Sequence, residues 1–406
     1  MNTNPLFSAA LGLCPPWSVV ETRFDVGTKR LDLRLDFPAG GGFACPECQG
    51  VNRPVHDTSE KTWRHLDFFQ HQAFLTTRVP RIRCDRCGVR QVQVPWARPG
   101  SGFTLLLEAL ILELAKNMPV LPIARLLGVD DKTVWRVVHH YVEQAIERID
   151  ASTVTTVGVD ETSARKDHDY VTLFFDLEQC RLLHVADGKD HQTIVSFAGF
   201  LEAHGGAPAA VREVSCDLSQ AFQKGIREHL PAASVTFDRF HLAKIIGDAL
   251  DTVRRTEWRT DKAIKGTRYL VLKRPDRLTD TQRGLLDEAL ACNANLAEAY
   301  RLKETFRDLY LQPNWHAGRG FLKAWVTMAR QSGLLPMVKA AHTIHAHWKG
   351  ILRWFVTRLN NGIMEGLNSL VQAAKRKARG YRSHHTFRII AYLIAGKLDL
   401  RVGIHR

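Results

Sequence analysis

The sequence predicts a multidomain α/β protein. A sheet of mixed direction is expected to carry a large helical insertion and to follow two smaller modules. Three observations lead there. An N-terminal stretch of strand-like alternation holds two C-x-x-C pairs. A helix-rich stretch comes next, containing a short helix, a glycine turn and a longer helix. From Thr153, three strand patterns run into alternating helices and strands, which builds a mixed sheet. The expected divisions are 1–100, 101–150 and 151–406, with the helical insertion at about 244–355.

A chain of 406 residues is long enough for several domains with a substantial core, and 45% apolar content argues against wholesale disorder. Lys and Arg number 56 against 42 Asp and Glu, a formal net charge of +14. That surplus favours a polyanionic partner, nucleic acid first. The start, "MNTNPLFSAALGLCPPW", lacks the basic segment of a secretory signal and is broken by prolines. The run "LLLEALILELA" is too short for a membrane span and carries two glutamates. A cytoplasmic location is expected, with no membrane partner, so the eight cysteines are not read as a disulfide set.

Residues 17–37 alternate around Gly27 ("RLDLRLDF"), which predicts a β-hairpin. Cys45 and Cys48 form one C-x-x-C pair and Cys84 and Cys87 another, with thirty-five residues between the pairs. Four soft ligands on two such knuckles suit a structural Zn²⁺ with no open position. A redox pair would need a thioredoxin-like context that neither has. Gly50 and Gly88 follow the pairs where a tight turn brings backbone N–H groups to the sulfurs. Arg81, Arg83, Arg86 and Arg90 nearby fit phosphate contacts or a solvated face equally well. Cys14, Cys180, Cys216 and Cys292 are scattered and expected to be buried thiols.

Pro95, Pro99, Gly100 and Gly102 mark a boundary. A helix is expected from about Thr104 to Asn117, then a helix-turn-helix in "PIARLLGVDDKTVWRVVHHYV". There Ile123, Ala124 and Leu127 face inward, Gly128 permits the turn, and Asp130 or Asp131 caps the second helix. Val134, Val138 and Tyr141 continue the core face. Lys132, Thr133 and Arg136 lie outside, near the N-terminus of the helix, where a recognition helix meets DNA base edges. An ordinary helical hairpin has the same pattern; the basic chain and the zinc module favour DNA binding.

From about Leu242 to Phe355 the pattern is helical and basic, with Trp258, Trp315, Trp325, Trp348 and Trp354 read as core rather than as stacking platforms. "HTIHAHW" holds His342, His345 and His347 without a fourth ligand, and is read as solvated or hydrogen-bonded histidine.

Asp160 and Asp217 each end an apolar strand, "TTVGVDE" and "VREVSCD". Either alone fits an ordinary strand-end turn. Glu365 lies on a helix whose face also carries Asn361, Asn368 and Gln372, followed by Lys375, Arg376, Lys377, Arg379 and Arg382. If that helix packs on the sheet, three carboxylates can hold two Mg²⁺ (or Mn²⁺) ions about 3.5–4 Å apart for in-line displacement at phosphorus. The cations behind Glu365 then suit phosphate oxygens. Glu161 points to the opposite face of the strand and is not read as a ligand.

With these motifs, the chain resembles bacterial insertion-sequence transposases of the ISL-three family. The likeness runs through the cysteine pairs, the helix-turn-helix, "GVDET", "SCDLSQAF", "FDRFHLAK" and "NNGIMEGLNSLVQAAKRKARGYR". It implies a ribonuclease-H-like core with an Asp-Asp-Glu metal site that cuts element ends and joins them to target DNA. It also implies double-stranded DNA partners (the transposon inverted repeats and the target) and a homo-oligomer. First Asp and Glu carry over to Asp160 and Glu365. In the family the second Asp follows the fourth strand, which selects Asp217, with Asp238 as the fallback and His241 as an accessory residue. A non-catalytic DNA-binding regulator is the rival reading. An RNA-processing nuclease fits less well, because a helix-turn-helix suits B-form duplex.

Overall fold

The protein is described here by a computed structural model covering residues 3–165, 169–359 and 362–403. The chain divides into two units, Met1–Ala145 with Asp399–Arg406, and Ile146–Leu398. No helix among the described residues is long and apolar enough to cross a membrane.

The first unit opens with α1 (Asn4–Ala10) and the expected hairpin, β1 (Ser18–Asp25) with β2 (Arg30–Asp36). Three further strands follow, β3 (Val55–Arg64), β4 (Gln72–Cys84) and β5 (Gly88–Gln91). The sheet order is β1-β2-β4-β3, with β5 also on β4; only β2 and β4 run parallel. Period-two alternation buries Leu31, Leu33 and Leu35 against Ala73 and Leu75 while charged neighbours face water. Each such side chain contributes about 1.5–3 kcal/mol of burial. A second cluster joins Cys45 and Cys84 to Trp17, Phe43, Ile82 and Val92.

Three helices complete this unit: α2 (Leu105–Asn117), α3 (Val120–Leu127) and α4 (Asp131–Glu147). Thr104 caps α2 by accepting from the Leu107 N–H. Gly128 ends α3 at φ 64°, a left-handed position that costs a residue with a Cβ strain. Asp130 then opens α4, its Oδ1 accepting from the Lys132 N–H at 2.8 Å. Ile123, Ala124, Leu127, Val134, Val138 and Tyr141 are all buried. So is Glu108, one of the two glutamates of the apolar run. Its carboxylate accepts from Arg98 Nε (3.0 Å), Ser101 Oγ (2.6 Å) and Tyr141 Oη (2.6 Å), so the buried charge is paired and hydrogen-bonded.

The second unit is built on five strands, β6 (Thr156–Ser163), β7 (Tyr170–Asp176), β8 (Arg181–Asp187), β9 (Glu213–Cys216) and β10 (Ser234–Phe237). Their order is β10-β9-β6-β7-β8. The meander β6-β7-β8 is antiparallel, and β9 and β10 add on parallel to β6. The two parallel additions arrive through crossover helices α5 (Gln192–Ala203) and α6 (Gln220–His229). Phe197 of α5 stacks on Phe174 of β7, ring centroids 4.4 Å apart.

After β10 the chain is helical: α7 (Arg239–Thr260), α8 (Arg268–Leu272), α9 (Asp280–Cys292), α10 (Ala294–Arg307), α11 (Trp315–Gln331), α12 (Leu335–Ala346) and α13 (Trp348–Thr357). Two helices return to the sheet, α14 (Gly362–Lys377) and α15 (His384–Ala395), and Tyr392 Oη of α15 donates to the Leu183 carbonyl of β8 at 2.8 Å.

Several expectations need correction. Of the four scattered cysteines only Cys216 is buried, and Cys14 and Cys292 are exposed. Trp325 is a core residue, donating from Nε1 to the Leu302 carbonyl, but Trp258 is exposed. Trp315, Trp348 and Trp354 are half-buried, with Arg319 over the first two rings and Arg358 over the third. The three histidines are as expected: His347 is hydrogen-bonded to the Thr343 carbonyl, and His342 and His345 are exposed.

Candidate active site

The site begins with the two faces of β6. Val159 pairs with Phe174 and so faces α5. Gly158, Asp160 and Thr162 face the other way, onto α14. Gly158 permits this contact: a Cβ there would lie 2.1 Å from Met364 Sδ. Asn368 Nδ2 donates to Asp160 Oδ2 at 2.7 Å, and Thr162 Oγ1 donates to Asn368 Oδ1 at 2.9 Å.

Strand register brings the other two aspartates alongside. Gly158 pairs with Ser215, and Cys216 with Phe237, so Asp217 and Asp238 stand first beyond two neighbouring parallel strands. The Asp238 N–H also donates to the Cys216 carbonyl at 2.9 Å. Asp217 Oδ1 accepts from the Ser219 N–H at 2.9 Å, and Ser219 caps α6. Asp238 caps α7 through Oδ1, and its Oδ2 lies 2.8 Å from His241 Nδ1.

Electrostatics report the same crowding. The hydrogen bond to Asp238 raises the His241 pKa despite partial burial, and the charges of Asp217 and Asp160 raise it further. Burial raises the Asp160 pKa, opposed chiefly by the Asn368 amide and the His241 charge. Glu161, on the far face of β6, is also raised, by burial and then by the nearby Asp217 charge. That proximity was invisible to strand parity, which sets Glu161 apart from Asp160 only.

Glu365 is exposed in the first turn of α14, where a carboxylate suits the helix dipole. It borders a cleft of about 340 Å³ together with Asp238, Arg239, Phe240, Arg307 and Tyr310. Asn368, one turn on, holds Asp160. Among the described residues the oxygens of Asp160, Asp217 and Glu365 do not form one cluster within 4.8 Å. A single-ion shell would demand that; two ions about 3.5–4 Å apart let one carboxylate lie between two more distant ones. Carboxylates such as these, with Asp160 half-buried, suit a hard divalent cation.

The basic residues divide. Lys375 does not reach outward: its Nζ donates to the Ser163 carbonyl at 2.5 Å, at the end of β6. Arg376 and Lys377 are exposed in the last turn. The helix stops there, and Arg379 adopts φ 57° in the turn that follows, so the cations are not one continuous helical row. Arg382 is exposed, and its carbonyl accepts from the Arg165 guanidinium. In the first unit, Lys132 and Arg136 are exposed on the first turns of α4, and Arg136 donates to Thr133 Oγ1 at 3.0 Å. Asn361 lies outside the described residues.

The cysteine pairs do converge. The sulfurs of Cys45, Cys48, Cys84 and Cys87 all lie within 4.8 Å of one another. A tetrahedral zinc with Zn–S near 2.3 Å spaces its sulfurs about 3.8 Å apart, so the four fit. The backbone N–H groups of Arg86 and Cys87 pull the Cys84 thiol down to about 6, while the neighbouring Cys48 and burial push the Cys87 thiol up to about 12. The first knuckle turns at Gln49 (φ 57°), rather than at Gly50, and the second at Gly88 (φ 73°).

A transposase family model matches residues 157–391. A helix-turn-helix domain of transposase family ISL3 matches residues 92–142, and the zinc-finger of transposases IS204/IS1001/IS1096/IS1165 matches residues 42–87. The chain is 28% identical over 361 residues to the transposase for insertion sequence element IS1001 of Bordetella parapertussis, covering 86% of this chain and 88% of that one. It is 28% identical over 375 residues to the transposase for IS1557 of Mycobacterium tuberculosis, covering 85% and 84%.

Proposed function

Because the chain belongs to the ISL3 family of transposases, we propose that it binds the ends of an insertion sequence, cuts the DNA there and joins the freed ends to target DNA. The observation that carries the catalytic part is the docking of α14 on β6, where Asn368, one turn from Glu365, meets Asp160; Asp160 lies within β6, which runs on to Ser163, rather than at the strand end expected from the sequence. The strand order β10-β9-β6-β7-β8, with an antiparallel meander and two parallel additions, supports a ribonuclease-H-like core.

Asp160, Asp217 and Glu365 would hold two divalent cations, Mg²⁺ or Mn²⁺. Bound there, the ions would supply an activated attacking oxygen and charge neutralisation at the leaving one. The choice of Asp217 over Asp238 rests on strand order and on commitments: Asp238 gives one oxygen to the α7 cap and the other to His241. The bond to Asp238 and the neighbouring carboxylates favour the charged form of His241. Arg376, Lys377, Arg379 and Arg382 would meet phosphate oxygens next to the cut. In the N-terminal part, Lys132, Thr133 and Arg136 would meet DNA in the major groove, and the four cysteines would hold a structural zinc. Oligomerisation, so that two ends are handled together, belongs to the same proposal, as does the division 1–100, 101–150 and 151–406.

The test is incubation of the full-length protein with labelled duplex carrying the element ends, with Mg²⁺ or with chelator. Cleavage and joined products that need the metal are expected. Binding without any strand cleavage under Mg²⁺ or Mn²⁺ would overturn the enzyme in favour of a regulator.

A further inference from the structure

The face of α14 that meets β6 carries amides in a fixed sequence of hydrogen bonds. Gln372 Nε2 donates to Thr162 Oγ1 at 2.5 Å. Thr162 Oγ1 donates to Asn368 Oδ1 at 2.9 Å, and Asn368 Nδ2 donates to Asp160 Oδ2 at 2.7 Å. The direction is forced. An amide nitrogen only donates, so the Thr162 oxygen is the acceptor from Gln372, and its single proton goes to the Asn368 oxygen. That turns the Asn368 NH₂ toward Asp160. A flipped Asn368 would set its oxygen against a carboxylate and break the bond to Thr162 at the same time.

We propose that Gln372, Thr162 and Asn368 form a positioning relay that locks the Asp160 carboxylate in one orientation, with Oδ2 committed to the relay, and so sets the affinity of the site for its divalent cation. The proposal rests on the reading of Asp160 as a metal ligand. None of the three touches the reacting atoms. They act through Asp160, and, because Glu365 lies on the same helix, through the placement of a second ligand. Lys375 extends the same seam by binding the Ser163 carbonyl, so Asn368, Gln372 and Lys375 tie α14 to β6 by polar bonds beside the Met364–Gly158 contact. Thr162 is buried and Asn368 half-buried, which shields these bonds from water. Partners behind a metal ligand typically govern about 10–100-fold in metal affinity.

The test uses the zinc-loaded full-length chain and Mn²⁺ as the probe, with binding followed by electron paramagnetic resonance and element-end cleavage followed in parallel. Asn368→Ala and Thr162→Val are expected to weaken Mn²⁺ binding about 10–100-fold. Thr162→Ser, which restores the hydroxyl, should return binding to within about twofold of the parent. Unfolding temperature and end-DNA binding, measured on each variant, separate this from misfolding; Thr162→Val is nearly isosteric and stands in should Asn368→Ala fail to fold. Unchanged Mn²⁺ affinity in Thr162→Val, or equal loss in Thr162→Val and Thr162→Ser, overturns the relay. Asp160→Asn separates the two claims: if it too leaves Mn²⁺ binding and cleavage intact, the assignment of Asp160 fails, and the relay fails with it.

Discussion

Asn368 Nδ2 and Asp160 Oδ2 are 2.7 Å apart although 208 positions separate them in the chain. This one bond ties the helix carrying Glu365 to the central strand of the second sheet. It joins the two ends of an α/β fold interrupted, among the described residues, by the α-helices α7 to α13 between β10 and α14.

Gly158 makes that docking possible, and its substitution tests the seam directly. A Cβ there meets Met364 Sδ at 2.1 Å and Leu177 Cδ2 at 2.9 Å. Gly158→Ala is expected to cost about 1–3 kcal/mol by overpacking. Combining it with Met364→Ala should cost less than the sum of the single losses, since the two positions share one contact. Denaturant unfolding of the four proteins measures this, and strictly additive losses would contradict the clash.

Removing the zinc should collapse the first sheet locally. Cys45 and Cys84 are themselves core residues beside Trp17 and Phe43. Cys84→Ser is expected to lower zinc content from about one ion per chain toward none and to loosen that cluster. Metal analysis with tryptophan fluorescence checks it; retained zinc with an unchanged emission spectrum would contradict it.

Lys132 and Arg136 are expected to serve affinity for DNA. Lys132→Ala should weaken end binding and lower the salt slope by about one, as loss of a single phosphate contact does. Arg136→Ala, deeper along α4, should also reduce the preference for end sequence over unrelated duplex. Binding titrations at several salt concentrations decide this, and unchanged slopes would remove α4 from the interface.

The first unit should lose stability in mild acid through His65. Burial, with help from the Arg64 charge, lowers its pKa to about 4, below an unfolded value near 6.5. The unfolded chain therefore binds the proton first, and stability falls as pH drops from about 6.5 toward 4. Between pH 7 and 5 the loss is about 2 kcal/mol. His65→Gln should remove that increment, leaving any acid loss of zinc unchanged. Identical pH profiles for parent and variant would contradict the assignment.

Much of the fold was legible because local signals agreed with it. The alternation of "RLDLRLDF", the glycine at 128 and the helical pattern from about Thr104 to Asn117 each mark an element without any tertiary contact. The five strands appear in the expected sequence order, and their pairing follows from short crossovers. What stayed hidden depended on distant partners. Glu108 looks like a surface residue until Arg98, Ser101 and Tyr141 close round it. Lys375 looks like a phosphate contact until the end of β6 claims it. Asp217 and Asp238 could not be ranked from composition, since parallel register sets both at one sheet edge. Glu161 gains its neighbour Asp217 only through the turn that follows β9.

The most direct measurement is metal-dependent cleavage of element-end DNA by Asp160→Asn, Asp217→Asn, Asp238→Asn and Glu365→Gln. Cleavage should fall about 10³-fold or more at Asp160, Asp217 and Glu365, equivalent to several kcal/mol of lost transition-state stabilisation, with end binding retained. Asp238→Asn should lose less. Parent-level cleavage by Glu365→Gln or Asp160→Asn would contradict the shared metal site, and an active Asp217→Asn beside a dead Asp238→Asn would move the second ligand to Asp238.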